Sequence, residues 1–221
     1  MKKLITCGSM IAASLVVTLP PVARAQSPTL ERTALVQGPS GDPRMTAAER
    51  TELIELLAKS EGEMMQYITG LTDAQWSFKP GPDRWSVGEV VEHIVLAEAL
   101  MFELAIKSLD GQANAKWEET LPKAAILRAA LPNRSRRVDA PAAIQPKQAM
   151  TRDAALARFK EQRARIGAFA KDTDKPLKAH TAPNPFFGDL NAHQWLLYVP
   201  LHTIRHNQQI AEVKATPTFP K

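Results

Sequence analysis

Two histidines lie four residues apart in the stretch VPLHTIRHNQQI, residues 199–210. On an α-helix, such positions stand one turn apart and about 40° around the axis, so the imidazoles of His202 and His206 can approach one point. Neutral imidazole nitrogen is a good ligand for Zn²⁺, Ni²⁺ and similar ions, and a pair at this spacing is a bidentate anchor. The pair alone is weak evidence, because the same spacing occurs on solvated helix faces. A third ligand has to come from another helix. His93 is the best candidate: it is flanked by Val90, Val91, Ile94 and Leu96, and a polar ring in apolar surroundings needs a partner. A backbone carbonyl would satisfy that need as well as an ion would. Three neutral histidines leave a fourth position for water, which is the open arrangement of a catalytic zinc site.

Other groups could support this chemistry. Arg205 sits at the flank of the histidine face and could grip a substrate carboxylate or phosphate; its plainer role is a surface ion pair. Gln209 continues the face one turn on and is a candidate substrate contact. Glu89 is one turn before His93 and could orient a ligand ring or serve as a base, though Ser86-x-x-Glu89 also reads as a capping box. Arg205 and Glu89 are thus the candidate catalytic residues. His180 lies in a Pro-rich loop. His193 is nine residues before His202, about half a circle around the helix, so both are weaker ligand candidates. Pro200 predicts a kink or local distortion beside the site, unless the helix begins only after it. Trp76, Trp85 and Trp195 read as packing around helix ends, with lining a pocket as the alternative. No serine-nucleophile motif and no phosphate-binding glycine loop is visible.

The elements that must position these residues are helices. Thr46 with Glu49 is a capping box, and Leu53, Ile54, Leu57, Met64, Met65, Ile68 and Leu71 recur at helical spacing. Ser86–Glu89 opens a strongly apolar second helix that ends before Gly111. A third follows Thr151, with Ala155, Phe159, Ile166 and Phe169 on one stripe. The last begins near Asp189 or Asn191 and runs to about Val213. Residues 111–150 form a long connection containing the basic run RSRR and a short helix around KAAILRAAL. The pattern contains no convincing strand. Four amphipathic helices imply an all-α four-helix bundle, with a long crossover connection between the second and third long helices.

The first 25 residues have a different character. Lys2 and Lys3, an apolar run ending at Pro20-Pro21, and Ala23-Arg24-Ala25 form the pattern of a secretory signal cleaved after Ala25. The run is short for a membrane span, and retention as an anchor is the alternative. Leu4-Ile5-Thr6 before Cys7 does not resemble a lipoprotein cleavage box. Residues 26–45 are rich in Pro, Gly and Ser and read as a flexible leader, 46–215 as the folded domain, and 216–221 as a tail. Lys2, Lys3 and Arg24 are the only charges of the first 25 residues, so removing the segment lowers the net charge from +5 to +2. That leaves no case for nucleic acid as a partner, nor for stable membrane insertion. It also removes the one cysteine, which excludes disulfides and thiol chemistry from the mature chain. A secreted or periplasmic protein acting on a small molecule is the expectation, with a homodimer as a further one.

The segment RWSVGEVVEHIVLAEALMF, together with LHTIRHNQQIAEV near the C-terminus, resembles the DinB-like (YfiT-like) superfamily of four-helix-bundle metalloenzymes. NPFFGDLNAHQWL is similar to that family's lead-in to its last helix. The resemblance covers roughly residues 46–215. It implies a divalent metal held by three histidines, mapping onto His93, His202 and His206. It also implies activities such as thiol S-transfer or maleylpyruvate isomerisation, which use low-molecular-weight thiols. An export signal departs from that pattern, since those thiols are chiefly cytoplasmic. The expectation is a metal-dependent hydrolase or group transferase. The alternatives are a non-catalytic metal- or ligand-binding module, or a bundle whose histidines are incidental.

Overall fold

The computed structural model describes residues 41–135 and 137–221. The segment read as an export signal, and residues 26–40 of the leader, lie outside the described residues. Residues 41–45 have no regular structure, yet Met45 is buried and the Pro43 carbonyl accepts a hydrogen bond from the Lys178 N–H at 2.8 Å.

Four long helices make the bundle: α1 (Ala47–Ile68), α3 (Val87–Ser108), α5 (Arg152–Asp172) and α6 (Ala192–Lys214). Two short ones, α2 (Asp73–Ser77) and α4 (Lys123–Ala130), lie in the connections. The starts are chemically fixed. Thr46, Thr72, Ser86 and Asn191 each accept a hydrogen bond from the N3 backbone amide, and the Glu or Gln at N3 accepts one back from the cap amide. Each such cap is worth about 1 kcal/mol. For α6, this places its start at Ala192 and therefore fixes the register of His202 and His206. The helix continues through Pro200, so it does not begin after that residue. Pro200 has no N–H to give the Leu196 carbonyl.

One element runs against the sequence reading. Residues Thr181–Asn184 and Gly188–Asn191 form an antiparallel hairpin, β1 and β2, paired from Thr181↔Asn191 to Asn184↔Gly188. The reading of no strand fails here because the pairing comes from the turn, not from side-chain alternation. Asn184 Oδ1 accepts from the amides of Phe186 and Phe187 at 2.9 and 3.0 Å, and Gly188 takes the left-handed conformation (φ 66°). A short hairpin loop closed by an αL glycine is a preferred connection.

The helix α6 packs against α1 and α3, and α5 packs against the same two. The core has two apolar clusters. One joins Leu53 and Leu57 of α1 to Ala97–Ala105 of α3, Ile166 of α5 and Trp195–Leu201 of α6. The other joins Met64 to Val87–Val95, Phe159, Ile210 and Val213. On α1, α5 and α6 a buried polar layer falls between them in sequence, and Glu98 of α3 joins it. Arg163 of α5 donates Nε to Glu98 Oε2 at 3.0 Å and Nη2 to Glu98 Oε1 at 2.6 Å. Its Nη1 reaches the Leu57 carbonyl and Ser60 Oγ at 2.9 and 3.0 Å, and Thr203 donates to Glu98 Oε1 at 2.6 Å. One buried ion pair therefore touches all four long helices. Burial pushes the Glu98 carboxyl up in pKa, while the Arg163 guanidinium opposes that shift. Among the described residues, no helix is long and apolar enough to cross a membrane.

Candidate metal centre

The polar layer ends in three buried imidazoles. Ser86 caps α3, which sets His93 on the face turned toward α6. Asn191 caps α6, which sets His202 and His206 opposite it. One nitrogen of each of the three rings lies within 4.8 Å of the others. The ring centroids are 5.1 Å apart for His93–His202, 4.5 Å for His93–His206 and 4.4 Å for His202–His206. His206 Nε2 is 3.1 Å from His202 Nε2. Nitrogens bound to a tetrahedral zinc at 2.0–2.1 Å stand about 3.3 Å apart, so the observed spacing suits a shared ion.

The outer nitrogens decide whether the inner ones carry lone pairs. His93 Nδ1 lies 2.7 Å from the Ile144 carbonyl, which can only accept, so Nδ1 carries the proton and Nε2 is bare. His206 Nδ1 donates to Gln209 Oε1 at 2.8 Å, which likewise leaves its Nε2 bare. Arg134 Nη1, also a donor, approaches the same Gln209 oxygen at 3.4 Å, which confirms that the oxygen end of the amide faces the ring. His202 Nδ1 is buried without a hydrogen-bond partner, so between these two bare nitrogens His202 is the ring left to carry a proton on Nε2. Burial holds His93, His202 and His206 below the ordinary histidine pKa, and the neighbouring imidazoles push His202 and His206 further down. All three are therefore neutral at neutral pH. Neutral, converging imidazoles with one buried ring nitrogen, His202 Nδ1, left without a partner are the donor set a divalent metal requires.

The remaining predicted residues separate. Gln209 is at the site, but its amide oxygen is engaged by the His206 ring. Arg205 lines the same cavity; its Nη1 donates to the carbonyls of Leu131, at 3.4 Å, and Asn133, holding that loop against α6. Glu89 does not come to the site as a base. One oxygen takes the Ser86 amide at 2.8 Å; the other takes Lys79 Nζ and Gln148 Nε2, each at 2.9 Å. Burial raises its pKa, but the bonds from Gln148, the Ser86 amide and Lys79 outweigh that and hold it below the usual value. Its position one turn before His93 misleads because the cap and those two side chains use the carboxylate fully. His180 and His193 stay outside the three-histidine cluster.

Sequence reasoning missed several groups. Trp85 packs at the start of α3 and also lies against His93 (4.8 Å between centroids) and near His206 (6.5 Å), so it lines the site as well. Tyr198 lies 5.9 Å from His202 and is neutral, its pKa pushed up to about 12 by burial. Arg134, which comes from the basic run, grips Glu212 with two bonds of 2.7 Å. The position of His202 one turn past Tyr198 and the presence of RSRR were the available signals. The Ile144 carbonyl had none, because a backbone acceptor leaves no mark on residue type. A cavity of about 1530 Å³ opens over the imidazoles.

The sequence model of the DinB superfamily matches residues 37–210. The uncharacterized protein YuaE of Bacillus subtilis (strain 168) is 24% identical over 162 residues, which is 69% of this chain and 91% of that protein. Among solved structures, YfiT from Bacillus subtilis aligns with a TM-score of 0.46 and 14% identity over 81% of this chain and 93% of its own. It is described as a probable metal-dependent hydrolase with an unusual four-helix bundle topology. The family match runs through α1, α3 and α5 and through the part of α6 that carries His202 and His206, so on its sequence the chain belongs to the DinB superfamily.

Proposed function

We propose that this protein is an exported, metal-dependent enzyme that acts on a small organic molecule, as a hydrolase or group transferase. The observation that carries the reading is the convergence of His93, His202 and His206, three neutral and buried rings from two helices, beneath a large cavity. Imidazole nitrogen suits zinc or nickel, and a divalent metal in such a place supplies Lewis acidity that polarises a carbonyl or acidifies a bound proton. The protein's own contribution is orientation. The Ile144 carbonyl and Gln209 hold protons on the outer nitrogens of His93 and His206. Trp85 borders the His93 ring and Tyr198 the His202 ring. Arg205 and Arg134 place positive charge on one side of the cavity, which suits an anionic substrate group.

The commitment of Glu89 to its cap and to Lys79 favours a second reading, a non-catalytic metal- or ligand-binding module of the cell envelope, because it engages the candidate carboxylate base. Metal analysis of protein purified from its native compartment tests the first step. The expected result is one zinc or nickel per chain, lost in the His93→Ala/His202→Ala/His206→Ala variant; unchanged metal content in that variant overturns the site. A screen of the metal-loaded protein against esters, amides and thiol-transfer substrates then separates enzyme from module. Turnover abolished by His206→Ala supports the enzyme. Ligand binding without turnover supports the module.

A further inference from the structure

The cavity has a direction. From His93, the face of α3 that lines it continues as Ala97, Leu100, Met101 and Leu104. At 1.5 Å per residue, this apolar wall extends about 16 Å beyond the imidazole. On α6, Trp195 and Tyr198 line the cavity before His202, whereas Arg205, Gln209 and Glu212 line it beside and after His206. The two core clusters show that these walls correspond. Ala97–Ala105 packs with Trp195–Leu201, and Val87–Val95 packs with Ile210 and Val213. The trough therefore runs from an apolar end, past the three imidazoles, to an arginine end. At the rim, Phe186 and Val138 keep about half of their surface exposed (51% and 49%).

The charged end carries an excess of cations. Among the described residues, four arginines (84, 134, 137 and 205) and three carboxylates (Asp83, Asp139 and Glu212) line the cavity. Glu212 serves both Arg134, at 2.7 Å, and Arg84, at 3.8 Å. Arg134 and Arg205 are both half-buried and line the same cavity. An anion placed between them would meet positive charge from both. A volume of about 1530 Å³ exceeds the roughly 300–1,000 Å³ of an ordinary small-molecule pocket, which leaves room for an occupant as long as the apolar wall.

We propose that the cavity binds an elongated organic anion, with its charged head at Arg134 and Arg205 and its apolar body along Leu100, Leu104, Trp195 and Tyr198. The bond to be changed then lies between head and body, across His93, His202 and His206. Only that last placement rests on the metal-centre reading; the binding does not.

Calorimetry on the full chain tests this with hexanoate, octanoate and decanoate as monomers, and with decanol and decylammonium as head-group controls. Each probe is titrated into chelator-treated and zinc-loaded protein. The expected result is binding by the metal-free protein that tightens about tenfold for every two methylenes. Decanoate should bind at least tenfold more tightly than decanol or decylammonium. Arg134→Gln and Leu104→Glu should each weaken decanoate at least fivefold. If either variant fails to fold, the ligand series on the unmodified chain still decides. Equal affinity for decanol removes the anionic head from the proposal, and equal affinity for hexanoate removes the apolar body. Decanoate binding seen only with zinc puts the carboxylate on the ion and overturns the arginine assignment. Chain-length-dependent binding to a protein that never takes up metal sinks the metal-centre reading while leaving this one standing.

Discussion

Replacing Gln209 with leucine tests whether the imidazoles are set up for a metal by their outer hydrogen bonds. Gln209 Oε1 receives His206 Nδ1–H at 2.8 Å, which keeps Nε2 bare and turned toward His202 and His93. Leucine fills similar space but accepts nothing. The half-buried Nδ1–H then loses its partner, and the ring gains by moving the proton to Nε2. There it can donate across the 3.1 Å gap to His202 Nε2 once that ring shifts its own proton to the unpartnered Nδ1, and the His206 proton must return to an Nδ1 without an acceptor before an ion can bind. Loss of such an outer partner costs about 10–100-fold in metal affinity, or roughly 1.4–2.7 kcal/mol. Competition against a chromophoric chelator at fixed pH gives the Kd. The expected order is wild type and Gln209→Glu together, with Gln209→Leu at least tenfold weaker, because a glutamate oxygen accepts the same proton. Arg134→Gln serves as the control for charge, since Arg134 also touches Gln209 Oε1, and should shift the Kd less than threefold. Leucine with wild-type affinity, or Arg134→Gln with the whole loss, refutes the reasoning.

Two further outcomes follow from buried polar groups away from the imidazoles. Burial lowers the pKa of His193 to about 4, against about 6.5 in the unfolded chain. The unfolded state therefore binds the proton first: stability from this group is full above about pH 6.5 and falls by about 3 kcal/mol as pH drops toward 4. Urea unfolding across that range should show a flatter pH dependence for His193→Leu, and parallel curves would count against it. Arg163→Met strands the Glu98 carboxylate in the polar layer and should cost about 3–5 kcal/mol, lowering Tm by roughly 10 °C. The Arg163→Met/Glu98→Leu double variant should recover most of that, and simple additivity of the two single losses would show that the pair is not coupled.

The parts of this molecule legible in its sequence are those encoded locally. Thr46, Ser86, Thr151 and Asn191 announce their helices because cap chemistry involves residues three apart. His202 and His206 announce a shared face because a helix repeats every 3.6 residues. What could not be read is the partner found at long range. Glu98 and Arg163 are 65 residues apart in the chain, and each alone looks like a charge on an exposed stripe. The Ile144 carbonyl that orients His93 comes from a connection with no periodicity at all. The hairpin at residues 181–191 was missed for a related reason. Thr-Ala-Pro-Asn and Gly-Asp-Leu-Asn have little strand propensity, and an Asn184 side chain bonded to its own turn makes the structure.

The polar layer and the candidate metal centre also depend on each other physically. Thr203 donates into the Glu98–Arg163 pair, and Asn207 donates to the Ser60 carbonyl at 2.9 Å. These two residues directly follow His202 and His206 in sequence, about 100° around the helix from them. Two hydrogen-bonded anchors to α1 and α3, one turn apart, thus fix the rotation of α6 about its own axis. Apolar packing alone tolerates small rotations, since neighbouring rotamers repack at modest cost. Buried hydrogen bonds do not, because a misaligned donor leaves a carboxylate or carbonyl unsatisfied. A rotation of α6 large enough to carry His202 and His206 away from His93 would break both anchors. The most expensive groups in the core are therefore spent where they hold the three imidazoles convergent, and Pro200, which frees a carbonyl one turn earlier, is tolerated because these side-chain bonds keep the helix in register.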